Sequence, residues 1–364
     1  MATLYDVARV AGVSTATVSR VLHGRDRVRQ STRDRVQGVI DELGYVPDGA
    51  AQSLSRRRKE VIGLVGVERP VPESDVESAS LLFADEIVRG VEATVRARGW
   101  SVLIAFVRAG EEAFGRLRTL SGKVDGLIIA EGIVPAPLIG QLAGRVPTVV
   151  LAGARDESGA DVVAADNRAG TIALVRHLVE VHGATRLFLV AGPNEAPDAR
   201  ERRAAFEEVL AAHPGTTSVG SFEGVFSAAS GEVAGREVLA CLERGPVDAV
   251  VCGNDQMAIG VIRSLTAAAI HVPDDVAVVG FDDIYPGALW DPPLTTVRQP
   301  MRALGERASS RLFERIANPA LPRMLEVLPT ELVLRASCGC PRGFVRDERR
   351  AHRGGAEPKA RPGR

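Results

Sequence analysis

Cysteine is scarce in this chain: four in 364 residues, at 241, 252, 338 and 340. Four are too few to staple a chain of this length with disulfides. The Cys338-Gly339-Cys340 pair is too sparse for a zinc site, which wants four ligands, and no histidines stand at metal spacing. Neither metal nor cofactor is therefore expected. Long apolar runs are also missing, which excludes a membrane-spanning helix. The N-terminus has no charged-then-apolar leader, so a cytoplasmic location is expected. Lysine occurs only at 59, 123 and 359. The formal net charge is −1, so the chain as a whole is no polycation. A glycine-rich phosphate loop and a GxSxG elbow are both absent, and an enzyme is not expected.

What is present is a soluble globular composition, 45% hydrophobic and 25% charged, long enough for two or three domains. Basic charge is local. Arg25, Arg27, Arg29, Arg33 and Arg35 form one run, and Arg56, Arg57, Arg58 and Lys59 another. Both fall in the first sixty residues, as an electrostatic footprint for phosphates would.

The stretch Thr3 to His23, TLYDVARVAGVSTATVSRVLH, predicts two short helices around a tight turn. Thr3 caps the first, with Asp6 as its partner in a capping box. Leu4, Val7, Ala8 and Ala11 share one helical face. Gly12 supplies the left-handed residue that ends the helix, and Val13 plugs the turn. Ser14 is a good N-cap for the second helix, which turns Val18 and Val21 inward and Thr15, Ala16, Ser19 and Arg20 outward. That is a helix-turn-helix, whose second helix enters the major groove of DNA. A third helix is expected at about 31–43, with Val36, Val39, Ile40 and Leu43 packing back on the first two.

The string from Thr3 to Leu22 resembles the N-terminal headpiece of the LacI/GalR (lactose-repressor) family almost residue for residue. The resemblance runs on to about residue 337. It implies double-stranded, palindromic operator DNA as partner and a homodimer to match it. The DNA-contacting positions it implies are Thr3, Tyr5, Ser14, Thr15, Ala16, Thr17, Ser19, Arg20, His23 and Arg29. Where the family usually has a serine, this chain has Arg29, which reaches a phosphate by charge alone. After a headpiece at 1–46, the resemblance implies a hinge at 47–59 that becomes helical on operator DNA. Gln52 and Leu54 lie on it, the leucine as a wedge between base steps of the minor groove. Gly49 lowers the helicity of that hinge by about 1 kcal/mol relative to alanine.

From Val61 onward apolar strands alternate with amphipathic helices, which predicts parallel sheets covered on both faces. Strands are expected at 61–67, 101–107, 125–130, 148–152, 186–191, 249–252 and 276–280. The implied fold class is an all-α headpiece plus an α/β core of two Rossmann-like lobes, like a periplasmic binding protein. The core would span 60–337, with an N-lobe at about 60–165 and 297–320 and a C-lobe at about 166–296 and 321–337. Residues 338–364 are rich in arginine and glycine, and a disordered basic tail is expected there. That tail has no leucine heptads and so offers no tetramerising coiled coil.

The resemblance also implies a small-molecule effector between the lobes, at the carboxyl ends of the strands. By position Arg202 is the ligand-clamping arginine, with Arg200 nearby, since a guanidinium forks onto carboxylate, phosphate or paired hydroxyls. Asp282 is the carboxylate for hydroxyl or amine groups, and Gln299 stands at a crossing between lobes. Phe226 fills an aromatic slot, and Phe83 is a further aromatic candidate. Asn254 is expected to face the cleft while Asp255 caps the helix that follows. Ala152 stands where sugar-binding members carry an aspartate, and Ala164 where some have an aromatic. Both departures make the N-lobe half of the cleft less polar. The expected ligand is a small polar metabolite, a sugar or sugar derivative. Two other readings share the residues: a solute-binding module of the same two-lobed fold, and an enzyme with Asp282 and Arg202 as its acid–base pair. The headpiece and the missing leader argue against the first, and the missing catalytic motifs against the second.

Overall fold

The structure is a computed structural model that describes residues 2–22, 28–45, 58–68, 81–130, 132–151 and 159–341. Of residues 81–83 and 111 it describes the backbone alone. The chain divides into two compact units, which meet in sequence at Glu60 and Val61.

The first unit has three helices: α1 (Leu4–Ala11), α2 (Thr15–Leu22) and α3 (Gln30–Leu43). The capping box forms as the sequence predicts. Thr3 Oγ1 accepts from the Asp6 amide at 3.3 Å, and the Thr3 amide donates to Asp6 Oδ2 at 2.9 Å. Gly12 takes φ 63°, and the Val13 amide reaches back to the Ala8 carbonyl at 3.0 Å, ending α1 sharply. Val7, Val18 and Val36, one from each helix, are fully buried against one another with Ala8, Ala11, Val21, Val39 and Ile40.

The second unit is built on two parallel sheets. The first contains β1 (Val61–Glu68), β2 (Ser101–Arg108), β3 (Gly126–Ala130), β4 (Thr148–Leu151), β5 (Asp161–Ala165) and β11 (Leu325–Leu328). Its strand order is β11-β5-β4-β3-β1-β2. The second contains β6 (Arg186–Ala191), β7 (Thr217–Glu223), β8 (Ala249–Cys252) and β9 (Ala277–Val279), in the order β7-β6-β8-β9. A short antiparallel pair, β10 (Thr296–Arg298) with β12 (Glu331–Val333), continues beyond β9 through single bridges at Val279 and Asp282.

Helices cover both faces of each sheet, as apolar strands flanked by helices require. On the first sheet, α4 (Leu81–Arg96) and α12 (Met301–Ala317) bury Val91, Val95, Leu304, Ala308 and Leu312 on one face. The other face is covered by α5 (Glu111–Ser121) and α6 (Ala136–Ala143) through Ala113, Leu117, Ile139 and Leu142. On the second sheet, α7 (Asn167–Arg176) and α8 (Pro197–Ala212) oppose α9 (Ala228–Leu242) and α10 (Asp255–Ala267). The short α11 (Tyr285–Leu289) follows β9.

Two expectations need correction. The C-lobe was expected to resume at 321, yet β11 pairs with β5 inside the first sheet, Leu325 to Val162 through Leu328 to Ala165. The third crossing therefore lies between Leu328 and Glu331. Beside it Thr330 Oγ1 donates to the Asp166 carbonyl at 3.0 Å, tying the third crossing to the first. The strand was missed because it lies at the sheet edge, with Leu325 and Val327 exposed and no continuous apolar run. The second correction concerns the tail. Ala336–Cys338 form a 3-10 turn, and Cys338 and Cys340 are buried in the core of the second sheet. Both thiols lie beside His177 and His182. The expectation that the two cysteines stood without further metal-type ligands is thus overturned: the other two arrive from the end of α7. Residues 342–364 lie outside the described residues, as does the hinge at 47–57 with Gln52 and Leu54.

Candidate functional site

In the first unit, α2 presents Ala16 and Arg20 outward, one helical turn apart, with Thr15 and Ser19 half-buried beside them. Ser14 caps this helix, accepting from the Thr17 amide at 3.2 Å, and its hydroxyl lies 3.0 Å from that of Thr17. Thr3 is likewise engaged in its cap, while Tyr5 is 76% exposed. Arg29 precedes α3 and makes no side-chain capping bond there. His23 lies outside the described residues. The small and basic side chains on α2 form a surface that fits a groove edge, where arginine pairs with guanine and alanine tolerates a thymine methyl.

In the second unit the polar candidates converge where β6, β8 and β9 end. Parallel strands release their chains there into loops, and open α/β sheets hold ligands at that edge. Arg202 projects from the first turns of α8 and is 6% exposed. Its Nε donates to Asn167 Oδ1 at 3.0 Å, and its Nη1 donates to the Gly253 carbonyl. Its guanidinium carbon stacks 3.8 Å from the centroid of the Phe281 ring, a cation–π contact. The nearby carboxylates stand farther off, Asp198 at 3.4 Å and Asp282 at 3.9 Å. The guanidinium is thus held in place mainly by neutral groups.

Asp282 follows β9 and takes φ 125°, unusual for a residue with a side chain. Its Oδ1 accepts from Gln299 Nε2 at 2.6 Å, so the carboxylate and the amide at the second crossing act as one unit. Burial, with Asp255 adding to it and Arg202 opposing, pushes the Asp282 carboxyl up to about 8. Phe226, at φ 62°, lays its ring over Gly192, where any side chain would collide with it. The ring therefore forms a wall over the residue that follows β6. Arg200 is spent on the loop, donating to the carbonyls of Asn194 and Glu195 at 2.9 and 3.0 Å.

The cap expected of Asp255 falls to Asn254. Gly253 and Asn254 join β8 to α10, and Asn254, still extended at φ −153°, takes the N-cap. Its Oδ1 accepts from the Met257 amide at 3.0 Å, and its Nδ2 donates to the Phe226 carbonyl at 3.1 Å. Asp255 points inward, fully buried, and accepts from Thr296 Oγ1 and from the Ile284 amide. Burial raises its carboxyl to about 6 against those two bonds. Asn254 thus shapes the aromatic wall while Asp255 fastens β10 to the cleft floor.

Asn167 is the residue that sequence reasoning missed. It opens α7 right after the first crossing, is 2% exposed, and holds Arg202 in place. Its signal was the Asp-Asn pair that follows the unbroken apolar run Val162–Ala165. Ala164 is a core residue of the first lobe, and Ala152 and the side chain of Phe83 lie outside the described residues.

Comparison with known proteins places both units. Residues 3–48 match the family of bacterial regulatory proteins, lacI family, and residues 175–338 match the periplasmic binding protein-like domain. The ribose operon repressor of Escherichia coli K12 is 34% identical over 343 residues, 93% of this chain and all of that one. The lac repressor dimer bound to operator and the anti-inducer ONPF superposes with a TM-score of 0.80 at 30% identity, over 93% of this chain and 99% of that chain. A complex of the regulator CelR with cellobiose gives 0.67 at 33% identity, over 93% and 100%. Among the described residues no helix is long and apolar enough to cross a membrane. With a headpiece of this geometry, a two-sheet core and matches along nearly its whole length, the chain belongs to the lacI family of bacterial regulatory proteins.

Proposed function

We propose that the protein is a dimeric transcriptional repressor that binds a palindromic operator and is controlled by a small polar metabolite, a sugar or sugar derivative, in the cleft. The observation that carries this reading is the convergence of Arg202, Asp282 and Gln299 beside the Phe226 ring at the strand ends. A guanidinium, a carboxylate and a carboxamide over an aromatic wall suit a ligand with several hydroxyls and one apolar ring face. The relatives support the class, being a ribose operon repressor and a regulator crystallised with cellobiose. The lac repressor neighbour, a dimer on its operator, supports the assembly.

The cleft binds its ligand without turning it over. Among the described residues, Arg202, Asp282, Gln299 and Asn254 are each committed to a positioning bond rather than poised as a nucleophile. Effector affinity and operator affinity are then linked reciprocally, because one ligand can change the other's affinity only by binding two states unequally. In the headpiece, Arg20, Thr15 and Ala16 read base edges, with Gln52 and Leu54 of the hinge acting in the minor groove. The test is genome-wide DNA selection with the purified protein, alone and with pooled sugars and nucleosides. A palindromic site released by one compound is the expected result. Arg20→Ala should weaken that site by about 1–3 kcal/mol while sparing random DNA. Equal loss on both would count against base reading, and no selected site under any condition would overturn the regulator.

A further inference from the structure

Four side chains that no part of the cleft uses meet at the far end of α7. His177 and His182 flank a single π-helical turn, His177–Val181, that prolongs the helix. In an α-helix, residues five apart point away from each other. The wider π turn returns them to nearly the same side, and such turns recur at functional sites. Cys338 and Cys340 arrive from the other direction, 161 and 163 residues after His177. Between them Gly339 takes φ 95°, a left-handed turn that glycine adopts readily, with the His182 ring 3.5 Å from where a Cβ would stand.

The donor atoms are already spaced for one ion. The two Nε2 atoms lie 3.1 Å apart. Cys338 Sγ is 3.7 Å from His177 Nε2, while Cys340 Sγ is 3.4 Å from His177 Nε2 and 3.5 Å from His182 Nε2. All four atoms lie within 4.8 Å of one another. A tetrahedral ion with bonds of about 2.05 Å to nitrogen and about 2.3 Å to sulfur would set N···N near about 3.3 Å and N···S near about 3.6 Å. The N···N distance and the three N···S distances above depart from those values by a few tenths of an ångström. A two-iron cluster would hold its histidine and cysteine ligands on different metals and hence much farther apart.

We propose that His177, His182, Cys338 and Cys340 bind one zinc ion. Two thiolates and two imidazoles in a tetrahedron are the donor set for this metal, and four protein ligands leave no open position for catalysis. The ion is a staple. It ties the C-terminal segment to α7, whose first residue, Asn167, positions Arg202 at the helix's other end. The same segment is sewn to the β9–β10 edge by Ser337, which donates to the Val278 carbonyl and accepts from the Thr295 amide.

The test uses the full chain, purified under reducing conditions without a metal-affinity step. Elemental analysis should find one zinc per chain. Replacing zinc by cobalt should give the intense visible absorption of a tetrahedral ion together with a thiolate charge-transfer band. His182 is exposed, so His182→Ala is expected to fold and to lose the stoichiometric metal; Cys340→Ser should lose both the metal and the charge-transfer band. A chelator should lower the melting temperature of the parent chain and leave that of His182→Ala unmoved. Three results would overturn the proposal: a reduced parent chain that takes up neither zinc nor cobalt, a cobalt spectrum without the thiolate band, or variants that load like the parent.

Discussion

Asp161 in the first lobe and Asp282 in the second are both sealed from water, at 1% and 6% exposure, but they occupy opposite ends of their sheets. Asp161 opens β5 and receives two guanidiniums. Arg315 Nε lies 2.9 Å from Oδ2, Arg315 Nη2 and Arg311 Nη2 each lie 3.0 Å from Oδ1, and the Met324 amide adds a fourth donor at 2.9 Å. Burial alone would raise this carboxyl; the bonds from Arg315, Arg311 and Met324 outweigh it and hold it below the ordinary range. Asp282 follows β9 with one guanidinium at 3.9 Å, and its carboxyl rises instead. The contrast separates two uses of a buried acid. At the amino ends of the strands the charge is satisfied by the protein and serves structure. At the carboxyl ends it is left partly unsatisfied, which is the condition for an incoming hydroxyl to bind well.

The comparison breaks hardest at Asp161. Asp161→Ala should strand two largely buried guanidiniums and cost about 3–5 kcal/mol, a drop in melting temperature of roughly 10 °C, with effector affinity little changed in what remains folded. Calorimetric melts of parent and variant measure it, and a loss below about 1 kcal/mol would contradict the structural role. Arg202→Met should reverse the pattern. The fold should lose less than it does at Asp161, while affinity for the compound that releases the operator falls on the order of 100-fold, the worth of two hydrogen bonds to a charged group. An unchanged titration would place the ligand elsewhere.

The signs of the two shifts give a third test. Asp161 is depressed, so its contribution to stability is complete above the unfolded carboxyl value near about 4 and is lost as pH falls through the lower folded value. Asp282 is raised. Its folded form keeps a proton that the unfolded chain gives up, so this contribution declines as pH climbs from about 4 toward about 8. A ligand whose hydroxyls donate to Asp282 favours the carboxylate and must expel that proton. Affinity should therefore rise about tenfold per pH unit below 8 and flatten above it, with binding heats that depend on the buffer. A flat profile would mean that the ligand takes the protonated acid. The smallest effect is expected at Asn254→Ala, about 1 kcal/mol for a lost N-cap, with a loosened Phe226 wall seen as weaker binding.

How much of this was legible beforehand follows from how far apart the interacting residues stand. The headpiece was plain in the sequence because Val7, Val18 and Val36 meet within forty residues, and caps and turn lie next to what they cap. Strands β3, β4, β8 and β9, buried along all or nearly all their length, announced themselves as apolar runs, whereas the equally buried β5 was not expected. Strand β7 did not, because TSVGSFE alternates small, polar and charged residues along a mostly exposed edge. The polar residues at the strand ends were named by position, yet which of Asn254 and Asp255 caps α10 depended on where that helix begins, to the residue. The histidine–cysteine cluster was invisible, since a pair at 177 and 182 has metal-like spacing only if the helix widens by a residue between them.

Strand β11 carries one last consequence, for the order in which the protein can be made. Strand β5 is buried along its whole length, and the partner on its outer side is Leu325–Leu328. A ribosome delivers those residues only after every strand of the second sheet has emerged. Until then the first lobe carries an open parallel edge of apolar residues, the kind that pairs with other chains. The N-terminal half of the core is synthesised first but closed only by one of the last strands, so a chain that stops before Leu325 leaves its earlier lobe, as well as its later one, exposed to aggregation.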